Sequence, residues 1–240
     1  MVSHPAFRNV VMPQEMADNI NRVIGDKPLE VIGRISNVQD VIRALGTGLD
    51  PGVLLIQGVI TAPYRPVAWG KAAGVSMASV INPKFASLYL TRPENQAVIQ
   101  RMVSTSSVPF GSSEFLIASQ RGLGKVPVAG AAFRRAGTSF NTYLDVARIE
   151  LHKSLSHIAK SDSELRELTN VIDQIVGLSS SRALGVTANR RALEGAFGLF
   201  APRYQRAGTA LMGSLAQGGV RGRIARRAVG QFLFGSAALM

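Results

Sequence analysis

The chain has 240 residues, of which 46% are hydrophobic, and its 27 Lys and Arg against 15 Asp and Glu give a formal net charge of +12. That length can bury a real core, and the absence of cysteine excludes disulfides and thiolate metal sites. No uninterrupted apolar stretch reaches the roughly 18–20 residues of a spanning helix, with Val53–Ala62 and Ala228–Met240 coming nearest, and the opening MVSHPAFRNVVMPQ lacks the basic-then-apolar pattern of a secretory leader.

Ten of the eleven prolines lie at or before Pro127. In that region they mark helix starts, where the fixed φ and missing N–H do least harm. Pro13 precedes Met16, Ile20, Val23 and Ile24. Pro28, with Asp26 as a candidate cap, precedes Ile32, Ile35, Ile42 and Leu45. Pro51, Pro66, Pro83 and Pro93 head similar segments, so about six or seven short helices are expected. Val53–Ile60 fits a buried strand by periodicity alone, but no second strand exists to pair with it. Within Trp69–Ala78, Gly70 and Gly74 stand four apart, a small-xxx-small surface suited to tight helix pairing. A plain Ala-rich core helix is the other reading of the same residues.

Gly122-Leu-Gly-Lys-Val-Pro127 reads as a linker, since the spacing of a phosphate loop is absent. Charge changes there too. Residues 1–120 hold ten bases and eight acids, and residues 121–240 hold seventeen and seven. Two regions are expected: 1–127 with short, proline-punctuated helices, and 128–240 with longer helices and a basic C-terminal segment.

In the second region Phe140, Leu144, Ala147, Leu151, Leu155 and Ile158 recur at steps of three and four, an apolar stripe on a helix from about Ala131 to Lys160. Phe140, Leu144 and Leu151 are the packing residues expected of it. Ser161-Asp-Ser-Glu164 has the pattern of a capping box. It starts a helix with Leu165, Leu168, Ile172 and Ile175 on one face and a stop at Gly177. Thr187 to Gln217 reads as helical with a break at Pro202. Gly218-Gly219 then separates a last helix beginning near Arg221. The fold class that follows is all-α and multi-helical.

The C-terminal segment carries the strongest functional signal. Ser181–Met240 holds nine arginines (Arg182, Arg190, Arg191, Arg203, Arg206, Arg221, Arg223, Arg226 and Arg227), no lysine, and one acid, Glu194. Arginine meets phosphate bidentately and is less strongly hydrated than lysine. Set among Ala, Gly, Leu and Phe, these residues suit a helical surface that meets phosphate of nucleic acid or of lipid headgroups. In Arg221–Arg227, Arg223, Arg226 and Arg227 fall near one helical face, and Val229, Phe232, Leu233, Phe234, Ala237 and Leu239 follow directly. Basic residues ahead of an apolar run fit a membrane flank or an interfacial helix. DNA is the rival partner.

Catalytic signals are weak. His152 and His157 are five apart, outside the three- or four-residue spacing of a metal-binding helix pair, and are expected to be exposed. Asp145 with Arg148, and Glu150 with Lys153, are expected to be i,i+3 surface pairs. Gly74-Val-Ser-Met-Ala78 lacks the second glycine of a nucleophile elbow and falls inside a helix. No metal, no cofactor, no small-molecule substrate and no enzymatic activity are expected. Scattering of Asp145, Glu150, His152 and His157 over solvent would finish the enzyme reading.

Several stretches resemble a family of very long phage and mobile-element proteins, the large polyvalent protein-associated regions. They are Gly48-Leu-Asp-Pro-Gly-Val-Leu-Leu-Ile-Gln-Gly58, Arg92-Pro-Glu-Asn-Gln96, Ser139-Phe-Asn-Thr-Tyr-Leu-Asp-Val-Ala-Arg-Ile-Glu-Leu151, Ser180-Ser-Arg-Ala-Leu-Gly185 and Phe200-Ala-Pro-Arg-Tyr204. They span most of the chain from about residue 40 onward. None is a catalytic signature, and no residue role is carried over. The resemblance implies a helical segment of a phage protein that travels in the virion and enters the host with the DNA, located finally in the host envelope or cytoplasm. It also implies a longer parent chain, of which these residues would be a fragment or cleavage product. The expected function is a non-enzymatic structural component of a DNA-delivery apparatus. Its expected partners are other copies or virion proteins and an anionic membrane or DNA. The alternative is a nucleic-acid-binding module of a larger anti-defence or DNA-processing protein.

Overall fold

A computed structural model describes residues 58–106, 108, 110, 127–179 and 202–237. Among these, 84% of the residues are α-helical, in eight helices with one 3-10 turn besides, and there is no strand, so the chain is all-α. The helices are α1 (Thr61–Tyr64), α2 (Pro66–Ile81), α3 (Lys84–Leu90), α4 (Pro93–Thr105), α5 (Pro127–Leu155, followed by the 3-10 turn Ser156–Ile158), α6 (Asp162–Ile175), α7 (Pro202–Leu215) and α8 (Gly219–Ala237).

Local sequence sets most of the boundaries. Pro66, Pro93 and Pro202 each open a helix, where a missing N–H removes a donor that has no intrahelical acceptor. The Ser161 hydroxyl accepts the Glu164 N–H at 3.3 Å, as its sequence pattern requires. Glu164 reaches back one residue further than the usual box and accepts the Lys160 N–H at 2.7 Å. α6 stops because Gly177 takes φ 83°, a left-handed conformation that a Cβ disfavours. Gly177 N–H then donates to Gln174 O (3.1 Å) and Leu178 N–H to Asp173 O (2.7 Å), satisfying carbonyls the helix leaves open. The proline starts at Pro13, Pro28 and Pro51, residues 53–57 of the strand alternative Val53–Ile60 and the linker around Gly122 lie outside the described residues, while residues 58–60 are helix and turn and not strand.

α5 runs through the middle. Every residue from Asn141 to His152 is buried, around the whole circumference of the helix. α2 packs along it most extensively, and α3, α4 and α6 cover its other sides. Its apolar stripe is as expected: Leu144, Ala147, Leu151 and Leu155 are buried, with Phe140 and Ile158 partly so. On the far side of α6, α7 and α8 pack together, and α8 also leans on α1. Helices from both sides of residue 127 therefore contribute to one hydrophobic core, from Tyr64, Ala68 and Ala72 through Leu151 and Ile172 to Ile224 and Ala228.

The α2–α5 seam is built from small residues in a different register from Gly70 and Gly74. Ala68, Ala72, Ser76 and Ser79 are the buried residues of α2. The Ser76 hydroxyl donates to Ser139 O at 2.7 Å and lies 2.8 Å from the Ser139 hydroxyl. Gly70 and Gly74 face outward, with nothing within 4 Å of where a Cβ would stand. Among the described residues none packs against these two glycines. Ser76 is a buried, hydrogen-bonded helix residue, as its misfit to a nucleophile elbow requires.

Candidate functional site

Two sets of charged groups have to be separated: one buried around α5, one exposed on α8. The buried set centres on Arg148, whose side chain is fully buried. Its Nε donates to Asp173 Oδ1 at 2.8 Å, and its Nη2 donates to Val108 O (2.8 Å) and to the Ser106 hydroxyl (3.0 Å). The Ser106 hydroxyl donates to Asp173 Oδ2 at 2.7 Å. The guanidinium stacks 4.5 Å from the centroid of Phe110, with Asp145 Oδ1 3.8 Å from Nη1. One side chain therefore ties α5 to α6 and to the segment leaving α4. Burial pushes the Asp173 carboxyl above its ordinary value; Arg148 and the hydrogen bond from Ser106 pull it back, and Asp145 adds to the rise.

A second buried set centres on Glu150. It accepts Lys71 Nζ at 2.8 Å, Lys153 Nζ at 2.9 Å and the Tyr89 hydroxyl at 2.5 Å, joining α2, α3 and α5. Burial alone would raise its pKa; the hydrogen bonds from Lys71, Tyr89 and Lys153 more than offset that, and the carboxyl sits below its usual value. The same Tyr89 phenol is pushed up, first by burial and then by Glu150. The i,i+3 pairings of Asp145 with Arg148 and of Glu150 with Lys153 do exist, but Asp145, Arg148 and Glu150 are buried and are not surface groups. Their polar face reads as solvated from sequence because the residues that cover it lie far away along the chain.

His152 corrects the sequence expectation most sharply. It is fully buried, one turn beyond Arg148, and neither ring nitrogen has a hydrogen bond among the described residues. Burial, reinforced by the charges of Arg101 and Arg148, lowers its pKa to about 4, so the ring is neutral near pH 7. His157 is exposed, as expected. Among the described residues no group of three or more His, Asp or Glu could hold a metal ion.

α8 positions the exposed set. Val220, Ile224, Ala225, Ala228 and Val229 turn inward, and Arg223, Arg226 and Arg227 are exposed. Its sequence contains no acid. Arg226 Nη1 donates to Leu215 O (2.8 Å) and Gln217 O (3.0 Å), at the C-terminal end of α7 where carbonyls lack helical partners and the dipole favours a cation. Arg221 is partly buried and donates through Nε to the Ser214 hydroxyl at 2.9 Å, which donates in turn to Gln174 Oε1 at 2.9 Å. Gly222 is needed between them, because a Cβ there would collide with the Gln217 carbonyl. Arg221 and Arg226 thus help hold α7 against α8, while Arg223 and Arg227 stand one turn apart on the outer face. Arg206 on α7 is partly buried. Arg203 lies at the start of α7, and Arg182, Arg190 and Arg191 lie outside the described residues.

The class that fold and surface define is an all-α protein with a basic outer helix. No family model matches the chain, and neither a curated protein nor a solved structure matches it. No helix among the described residues is long and apolar enough to cross a membrane.

Proposed function

We propose that the chain is a non-enzymatic helical component of a phage DNA-delivery apparatus, an internal virion or ejection-type protein of the large polyvalent class. Its C-terminal arginines meet phosphate. The observation that carries this reading is the acid-free outer face of α8 with Arg223, Arg226 and Arg227 exposed together. Asp145, Glu150 and His152 are buried and not scattered over solvent, so that ground against an enzyme is absent. The non-enzymatic reading is supported instead by the engagement of the acids, Asp173 by Arg148 and Ser106, and Glu150 by Lys71, Lys153 and Tyr89. Assembly with other copies or virion proteins is supported by the outward stripe of α2, where Val67, Met77 and Ile81 are exposed around Gly70 and Gly74.

The same arginines also suit a nucleic-acid-binding module of a larger phage protein, since Arg223 and Arg227 at one-turn spacing can neutralise neighbouring phosphates. The test is flotation with anionic vesicles and, separately, electrophoretic shift of duplex DNA, each across a salt series. Binding to either polyanion that weakens in Arg223→Gln/Arg227→Gln supports a phosphate-facing surface. Absence of binding to both removes it. Light scattering after size exclusion checks assembly, and a strictly monomeric chain at high concentration contradicts that part of the reading.

A further inference from the structure

The outer face of α8 is not uniformly basic. At 100° per residue, Arg223, Arg226, Arg227, Gly230, Leu233 and Phe234 fall within an arc of about 120°. The stripe from Arg223 to Phe234 is about 16 Å long. Its first half is cationic, and its second half presents Leu233 at 58% exposure and Phe234 at 79%. Exposed aromatic and aliphatic side chains beside arginines have no counterpart along a DNA backbone, which offers phosphate and sugar. A bilayer interface offers phosphates at one depth and acyl chains just beneath, the order in which this stripe carries its groups.

We infer that the outer stripe of α8 is an interfacial membrane-binding face, with Arg223 and Arg227 on the headgroup phosphates of anionic phospholipid and Leu233 and Phe234 inserted below them. This rests on the phosphate-facing reading above and selects lipid over nucleic acid. Charge complementarity fixes the lipid class, since α8 carries only cations. The opposite face of the helix, with Ile224, Ala225 and Ala228 in the core, keeps α8 attached to the body of the protein. The helix therefore meets the surface at a tilt, with Leu233 and Phe234 at its deeper end, and does not cross it. Arg226, bonded to the end of α7, holds the stripe in a fixed orientation relative to that body.

The test uses the full chain with vesicles of phosphatidylcholine alone or mixed with phosphatidylglycerol, and with duplex DNA. Leu233→Ser/Phe234→Ser is compared with wild type after matched thermal melts establish that both are folded. Expected are binding to the anionic vesicles that persists at moderate salt, at least about tenfold weaker binding by the double variant, and unchanged DNA binding. In a separate variant, Phe234→Trp, the fluorescence of the introduced indole should be quenched by lipids brominated on their acyl chains. If Leu233→Ser/Phe234→Ser binds anionic vesicles as well as wild type, or the introduced indole is not quenched, the membrane inference is overturned. DNA binding that persists then leaves the phosphate-facing reading intact, whereas failure to bind either polyanion overturns both.

Discussion

Helices α5 and α8 have similar ingredients, small and apolar residues interrupted by arginine and polar groups, and put them to opposite uses. In α5 the charges of Asp145, Arg148 and Glu150 are inside. Arg148 with Asp173 ties α5 to α6, and Glu150 with Lys71 ties it to α2, through bonds of 2.8 Å in which each charged group meets an opposite one. In α8 Arg223, Arg226 and Arg227 are outside, on a helix whose inner face is Val, Ile and Ala. A charge inside the protein is costly unless paired and hydrogen-bonded, so it becomes a constraint on how helices dock. A charge outside costs little to leave unsatisfied by the protein, and it remains available to a partner.

The largest effect is expected at Arg148. Arg148→Met should destabilise the fold by about 3–5 kcal/mol, because the buried carboxyls of Asp173 and Asp145 lose the guanidinium that they face. Denaturant unfolding measures it. Arg148→Met/Asp173→Leu should regain much of that loss, since an apolar pair of similar volume is often tolerated where a lone charge is not. Equal stability of the single variant and wild type would mean that the interior network is not a constraint.

Acid sharpens the same point through His152. Its folded pKa of about 4 lies below the unfolded value of 6.5, so between them the unfolded chain binds the extra proton. Stability should therefore fall as pH drops from about 6.5 to about 4, by up to about 3 kcal/mol from this residue alone. Glu150, held below its ordinary value, adds a loss in the same direction at the lower end of that range. Melts at a series of pH values should show the decline, and His152→Leu should flatten its upper part. An unchanged slope in that variant would place the titration elsewhere.

A smaller effect is expected at the end of α6. Gly177→Ala places a Cβ at φ 83° and should cost about 1–2 kcal/mol in the same unfolding assay, without altering vesicle or DNA binding. No loss would mean that the backbone relaxes out of the left-handed region.

Sequence shows the frame of this fold more clearly than its interior. Pro66, Pro93 and Pro202 open helices, Ser161 caps α6, Gly177 ends it, and Leu144, Ala147, Leu151 and Leu155 form the stripe of α5. All of these are signals carried by neighbouring residues. The polar core is not of that kind. Arg148 meets Asp173 across 25 positions and Lys71 meets Glu150 across 79, so local spacing finds the i,i+3 partners and misses the ones that bury them. For the same reason His152 reads as a surface histidine. In α2 the choice of seam is ambiguous from sequence, because Gly70/Gly74 and Ala68/Ala72/Ser76 are both small residues at four-residue spacing. The arginines of α8 are legible as a cluster. Their division into Arg221 and Arg226, which bond to α7, and Arg223 and Arg227, which face out, depends on where the turn at Gln217 places its carbonyl.

The most direct test of this division between inner and outer charge is Arg223→Gln/Arg227→Gln, measured for unfolding and for binding to anionic vesicles on the same preparation. The expected result is a stability within about 0.5 kcal/mol of wild type together with loss of vesicle binding. A large drop in stability would make these arginines part of the scaffold, and undiminished binding to anionic vesicles would mean that the outer face of α8 does not meet phosphate.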